Sequence, residues 1–183
     1  LNAELLVREV LRATLITHAH PEAVNGSLAV AYAFDRVVRR ETLPEMIVAE
    51  VLAFIDEDAV AKRLREAEGL LLARRGPDDD TAALATLGTS GYVAEAVAAA
   101  LYLFAAYGPD FEGAVLAAAN AGGASDAIGA IVGGLSGAWV GASALPEGLV
   151  EGLESRMYIL MAAPALFRTA QRRGGLFLQL HQR

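Results

Sequence analysis

Residues 120–141 read NAGGASDAIGAIVGGLSGAWVG. A Gly-Gly turn at Gly122 and Gly123 leads through Ser125 and Asp126 into a run in which Gly129, Gly133, Gly137 and Gly141 fall at every fourth position. That spacing lines one face of a helix and predicts close contact with neighbouring backbones. Each mid-helix glycine costs about 1 kcal/mol relative to alanine, so tight packing must compensate. Residues 127–146 carry no charge over 20 positions, a length that would span a bilayer. The glycines leave the run weakly hydrophobic, and the expected reading is the buried central helix of a soluble bundle.

Outward from this segment the helical reading continues. Residues 3–17 set Leu6, Val7, Val10, Leu11 and Thr14 at three- and four-residue spacing, and residues 18–21 break the run. The helix expected over 22–40 closes on Arg36, Arg39 and Arg40, where positive charge complements its C-terminus. Leu43-Pro44-Glu45 and Leu145-Pro146-Glu147 open further helices with proline in the first turn. Residues 56–75, the most charged helical stretch, are expected to face solvent. A helix is expected over 92–107, and Asp110 caps another over 111–119. No stretch alternates with period two over β-branched residues, so the fold class is all-α.

The 183 residues, 55% hydrophobic and 20% charged, fit a single domain over 1–183 with a sizeable core. Residues 156–183 read as a C-terminal helical extension in which Arg168, Arg172, Arg173 and Arg183 punctuate apolar positions. That extension either docks on the body or mediates self-association. A net charge of -7 and a pI near 5.0 argue against duplex nucleic acid, which needs a positive field. The absence of cysteine excludes disulfides, thiolate metal sites and cysteine nucleophiles. The chain begins at Leu1 without methionine, and residues 1–7 lack the charge pattern of a signal peptide. The expected location is cytoplasmic, without a membrane partner.

Several residue clusters carry candidate chemistry. Asp126, on a tight glycine turn at a helix start, either holds a cation or caps the helix that follows. In the acidic turn Asp78, Asp79, Asp80, the last carboxylate precedes Thr81 as an ordinary N-cap, so a solvated turn is expected over a metal site. His18 and His20 flank Ala19 ahead of Pro21 and either contact phosphate or sit hydrogen-bonded in the loop. Tyr92 either packs the start of a core helix or stacks on a base while its hydroxyl holds a hydrogen bond. Glu95 reads equally as a cleft or first-turn carboxylate. Asn25 either occupies ligand space or bridges helices.

Three strings carry a family resemblance: THAHPEAVNGSLAVAYAF at 17–34, GTSGYVAEAVAAALYLF at 88–104, and DFEGAVLAAANAGGASDAIGAIVGGLSGAWVG at 110–141, followed by LPEGLVEGLE at 145–154. Their wording, order and separation resemble the later part of the ADP-ribosylglycohydrolase family. The resemblance covers roughly residues 3–154. It implies a compact multi-helix domain in which two divalent cations, usually Mg²⁺, sit between helix ends and help cleave an ADP-ribose glycosidic bond. It further implies that the family's N-terminal part, which carries the other metal ligands, is lacking here. The family's metal motif usually reads Gly-Gly-Asp-Thr-Asp-Thr, whereas the matching positions are Gly122, Gly123, Ala124, Ser125, Asp126 and Ala127. Asp126 is retained as the metal and catalytic carboxylate, but Ala124 and Ala127 cannot ligate. The same resemblance sets His20, Tyr92, Gly122, Gly123 and Ser125 beside the substrate.

The resulting expectation is a degenerate or incomplete family member without autonomous catalysis. An active Mg²⁺-dependent hydrolase releasing ADP-ribose from adducts is the first alternative, and a non-enzymatic assembly or nucleotide-recognition module is the second. An ADP-ribose-like ligand, a homodimer formed through residues 3–17 or the final helix, and a separate N-terminal chain are the expected partners.

Overall fold

The computed structural model describes residues 3–174, and every regular element among them is helical. The chain divides into two units, Leu1–Ala144 and Leu145–Arg183. The first unit holds α1 (Ala3–Thr14), α2 (Pro21–Val38), α3 (Ile47–Leu52), α4 (Ala59–Ala73), α5 (Asp80–Leu87), α6 (Val93–Tyr107), α7 (Phe111–Ala119) and α8 (Ser125–Val140). The second holds α9 (Glu147–Glu151) and α10 (Arg156–Gly174). No helix among the described residues is long and apolar enough to cross a membrane.

The centre of the first unit is α6, not the glycine-bearing α8. From Ala96 to Ala105 every residue of α6 is buried, so this helix is apolar on all sides and packs against α2, α4, α7 and α8. Its alanines let those neighbours approach closely, while Tyr102 and Phe104 fill the space between them. In α8 the buried set is Ile128, Val132, Leu135 and Ser136, which marks one face only.

The expected stripe of close glycine contacts in α8 does not form. Gly129 has open space where a Cβ would stand, Gly133 makes ordinary contact with Val115, and Gly141 lies past the helix end with φ +85°. Gly134 is the tight position: a Cβ there would lie 2.7 Å from Phe34 Cζ on α2. The corresponding approach of α2 to α6 occurs at Gly26, where a Cβ would overlap Val93 Cγ2.

α4 also departs from expectation. It buries Val60, Ala61, Leu64 and Ala67 against α6, so only its other side, with Lys62, Arg65 and Leu72, faces solvent. Its true start is Asp58, whose carboxylate accepts from Val60 and Ala61 N–H at 2.8 and 3.1 Å.

The acidic turn is not uniformly solvated. Asp78 and Asp79 lie in a short 3₁₀ turn, but Asp80 opens α5 and is 4% exposed. It accepts from Arg74 at 2.8 and 3.0 Å, from Tyr102 Oη at 2.8 Å and from Tyr107 Oη at 2.9 Å. Arg74 completes the cluster by donating to the Ala106 carbonyl at 3.3 Å. Asp80 is therefore a buried anchor joining α5, the end of α4 and α6, because four donors replace the water it gives up. Burial alone would push its carboxyl up, but the hydrogen bonds from Arg74, Tyr102 and Tyr107 hold it below the usual carboxylate value.

Candidate functional site

Within the first unit, α2, α6 and α8 all begin at one end, and local sequence fixes each start. At α2, His20 occupies the N-cap in extended conformation, its Nδ1 accepting from Glu22 N–H at 3.3 Å, and Pro21 supplies the preset φ of a first helical residue. At α6, the N–H and hydroxyl of Ser90 both donate to Glu95 Oε2, at 3.0 and 2.6 Å, and Tyr92 N–H donates to Ser90 Oγ at 3.2 Å. The Ser90 hydroxyl and N–H hold the Glu95 carboxyl below its ordinary range. At α8, Ala124 N–H donates to the Thr89 carbonyl at 2.7 Å, and Thr89 Oγ1 donates to the Ala121 carbonyl at 3.3 Å. Gly122 and Gly123 take φ of +72° and +58°, and a Cβ at Gly123 would overlap the Thr89 carbonyl oxygen. The Gly-Gly pair is thus required for the α8 turn to seat on the loop before α6.

One hydrogen bond closes the arrangement. Tyr92 Oη donates to Glu22 Oε2 at 2.8 Å, and Glu22 Oε2 stands 3.8 Å from His20 Nδ1. The Glu22 carboxylate pushes the Tyr92 phenol up from its ordinary value. His20, Tyr92 and the Gly122–Ser125 turn, named separately from sequence, therefore lie along one chain of contacts running through Glu22, Ser90 and Thr89. Those three linking residues were missed as site residues. Glu22 and Thr89 meet Tyr92 and Ala121, 70 and 32 positions away, which no local spacing signals, whereas Ser90 meets Tyr92 and Glu95 two and five positions on.

Beside this rim, a groove of about 410 Å³ is lined by Ala13, Thr14, Thr17, His18, Ala23, Ser27 and Val93. His18 lines it, whereas His20, preferred from sequence, caps α2. Asn25 lies elsewhere: its amide brackets the Asp56 backbone, donating to the carbonyl at 2.9 Å and accepting from the N–H at 3.2 Å. It ties α2 to the loop between α3 and α4. Asp126 is exposed at the second position of α8, and the N-cap is Ala124 rather than Asp126.

Chemically, Pro21 has no N–H and the Glu22 and Ala23 N–H groups donate to His20, so the backbone donors that suit an anionic group are those at the starts of α6 and α8, at the positive ends of their dipoles. The exposed Tyr92 ring adds an apolar surface with its hydroxyl already fixed. The donor set does not fit Mg²⁺ on its own. Around the α8 start, Ala124 and Ala127 offer no side-chain oxygen, leaving the Asp126 carboxylate and the Ser125 hydroxyl for an ion that demands near-octahedral oxygen coordination. Among the described residues, no three or more His, Asp or Glu side chains gather as a metal site.

The model of the ADP-ribosylglycohydrolase family matches residues 1–175. The chain belongs to that family. It is 33% identical over 166 residues to an uncharacterized protein of Archaeoglobus fulgidus, an alignment covering 86% of this chain and 49% of the relative. The chain thus spans about half the length of the curated relative it matches. No solved structure matches it.

The extent of this match corrects two expectations. The resemblance is not confined to a later part over residues 3–154, and the N-terminal region of this chain lies inside the family match, so the fold is not one lacking that part. The expectation of a separate N-terminal chain rested on that absence and gains no support from the match. The physical reason is that α1 and α10 carry helical apolar patterns without a Gly turn or a fixed polar cluster, so motif reading gives them little weight.

Proposed function

We propose that this chain is a degenerate ADP-ribosylglycohydrolase-family protein that recognises an ADP-ribose-like nucleotide and does not hydrolyse it autonomously. The reading rests on one observation above all: the Tyr92–Glu22 and Ala124–Thr89 hydrogen bonds gather the starts of α2, α6 and α8 at one end of the first unit. A diphosphate would be met by first-turn N–H groups of α6 and α8, with Gly122, Gly123 and Ser125 allowing close approach. His20 and Tyr92 would flank the sugar and base, Tyr92 through its ring face. Asp126 remains the candidate catalytic carboxylate, but Ala124 and Ala127 deprive it of neighbours that could complete a cation site, which favours binding over turnover.

Isothermal titration of the chain with ADP-ribose, with and without Mg²⁺, tests the reading. The expected result is saturable binding of equal affinity in both conditions, with no release of ADP-ribose from adducts. Mg²⁺-dependent binding accompanied by turnover that Asp126→Ala abolishes would establish the active hydrolase instead. Absence of binding in either condition would leave the assembly module.

A further inference from the structure

Glu95 stands three residues after Tyr92, the N-cap of α6, where a carboxylate ordinarily reaches back to the N-cap N–H. Here it reaches further. Its Oε2 accepts from both the N–H and the hydroxyl of Ser90, at 3.0 and 2.6 Å, and Tyr92 N–H donates instead to Ser90 Oγ at 3.2 Å. The carboxylate thereby fastens the loop that precedes the helix. Gly88 makes room for it: with φ of +81° it lies so close that a Cβ there would overlap the Glu95 carboxylate.

The Ser90 N–H that Glu95 holds belongs to the same peptide group as the Thr89 carbonyl. A trans peptide is planar, with its N–H and C=O pointing in opposite directions, so fixing one aims the other. The Thr89 carbonyl accepts Ala124 N–H at 2.7 Å, the bond that seats the α8 turn. Gly123 clears the space on that side as Gly88 does on the other, since a Cβ at Gly123 would overlap the Thr89 carbonyl oxygen. A single peptide plane thus joins Glu95 of α6 to the N-cap of α8, and the hydrogen bonds at its two ends polarise each other.

We propose that Glu95 is a positioning residue, which through the peptide between Thr89 and Ser90 sets the turn at 122–125 against the start of α6. The backbone donors of α6 and α8 are brought to one place by this link. Its consequence for a ligand rests on the ADP-ribose reading above, whereas the coupling of Glu95 to Ala124 does not.

Amide hydrogen exchange of the full chain without ligand reads that coupling at Ala124. Glu95→Met keeps the length of the side chain and removes the acceptor, while Glu95→Gln keeps an acceptor oxygen. Glu95→Met should raise exchange at Ala124 about tenfold while Leu101, Tyr102, Leu103 and Phe104, in the buried middle of α6, stay protected. Glu95→Gln should stay within about twofold of the unmodified chain. ADP-ribose affinity should follow the same order, falling about tenfold in Glu95→Met and recovering in Glu95→Gln. Unchanged exchange at Ala124 in Glu95→Met overturns the proposal, whether or not the unmodified chain binds ADP-ribose. So does equal exchange in the two variants, or raised exchange at Ala124 with undiminished affinity. If Glu95→Met loses protection throughout α6, Ser90→Ala decides: a rise at Ala124 alone supports the proposal, and no change overturns it. Failure of the unmodified chain to bind ADP-ribose refutes the ligand reading and leaves exchange at Ala124 as the judge of the positioning role.

Discussion

Asp80 carries the largest single-residue prediction. Replacing it with asparagine leaves the Arg74 guanidinium, 17% exposed at its side chain, without its carboxylate, and should destabilise the chain by about 3 kcal/mol in denaturant unfolding. The pH dependence follows from its depressed native value. A carboxyl held below its unfolded value near 3.8 contributes stability that is fully present above that value and is lost as pH falls through the native one. Thermal unfolding between pH 5 and pH 2, on the order of the range in which carboxylates titrate, should therefore show a steeper acid loss for the wild type than for Asp80→Asn. An equal loss in both would show that other carboxylates govern acid unfolding. Ser136 makes the opposite case: its hydroxyl is fully buried with no hydrogen-bond partner. Ser136→Ala should raise stability by about 1 kcal/mol, since an unsatisfied buried hydroxyl opposes folding. At the rim, Tyr92→Phe keeps the ring and loses the Glu22 hydrogen bond, whereas Tyr92→Ala loses both. ADP-ribose affinity should fall more for Tyr92→Ala, by about tenfold, if the ring face is what the base meets.

Helix packing in the first unit depends on two glycines that periodicity alone did not single out. Gly26 and Gly134 let α2 approach α6 and α8, and the side chains they face, Val93 and Phe34, are held within packed helices. Gly26→Ala should destabilise by about 2 kcal/mol despite alanine's better helix propensity, because the β-branched Val93 cannot rotate away cheaply. Gly129→Ala meets open space and should stabilise by about 1 kcal/mol, so the two substitutions, measured together by thermal unfolding, separate packing from propensity. Much at this scale was legible in the sequence. The expected helix over 111–119 with its Asp110 cap is the observed α7, in which Asp110 accepts from Gly113 N–H at 3.0 Å. α6 begins one residue inside its expected span, because Tyr92 is the N-cap. Which helix lies at the centre was not legible, since the uncharged run over residues 127–146 looks more buried than the alanine-rich α6. Alanine count carries less hydrophobic signal than it carries packing capacity.

At the scale of the molecule, family membership was legible because glycine turns and polar residues at helix starts keep recognisable wording. The connections among them were not, because Glu22 meets Tyr92 and Thr89 meets the Gly122–Ala124 turn only through tertiary packing. The misreading of Asp80 has the same origin: nothing beside it in sequence announces Tyr102 and Tyr107. The central claim is that three helix starts form one site, with its anion-recognising backbone donors at α6 and α8, while Asp126 lacks the neighbours of a metal centre. Backbone amide chemical shifts of the isotope-labelled chain, followed during titration with ADP-ribose without Mg²⁺, test it most directly. The account predicts saturable shifts concentrated at the first turns of α2, α6 and α8, including Glu22, Val93, Ser125 and Asp126. Shifts confined elsewhere, or appearing only when Mg²⁺ is added, would contradict it.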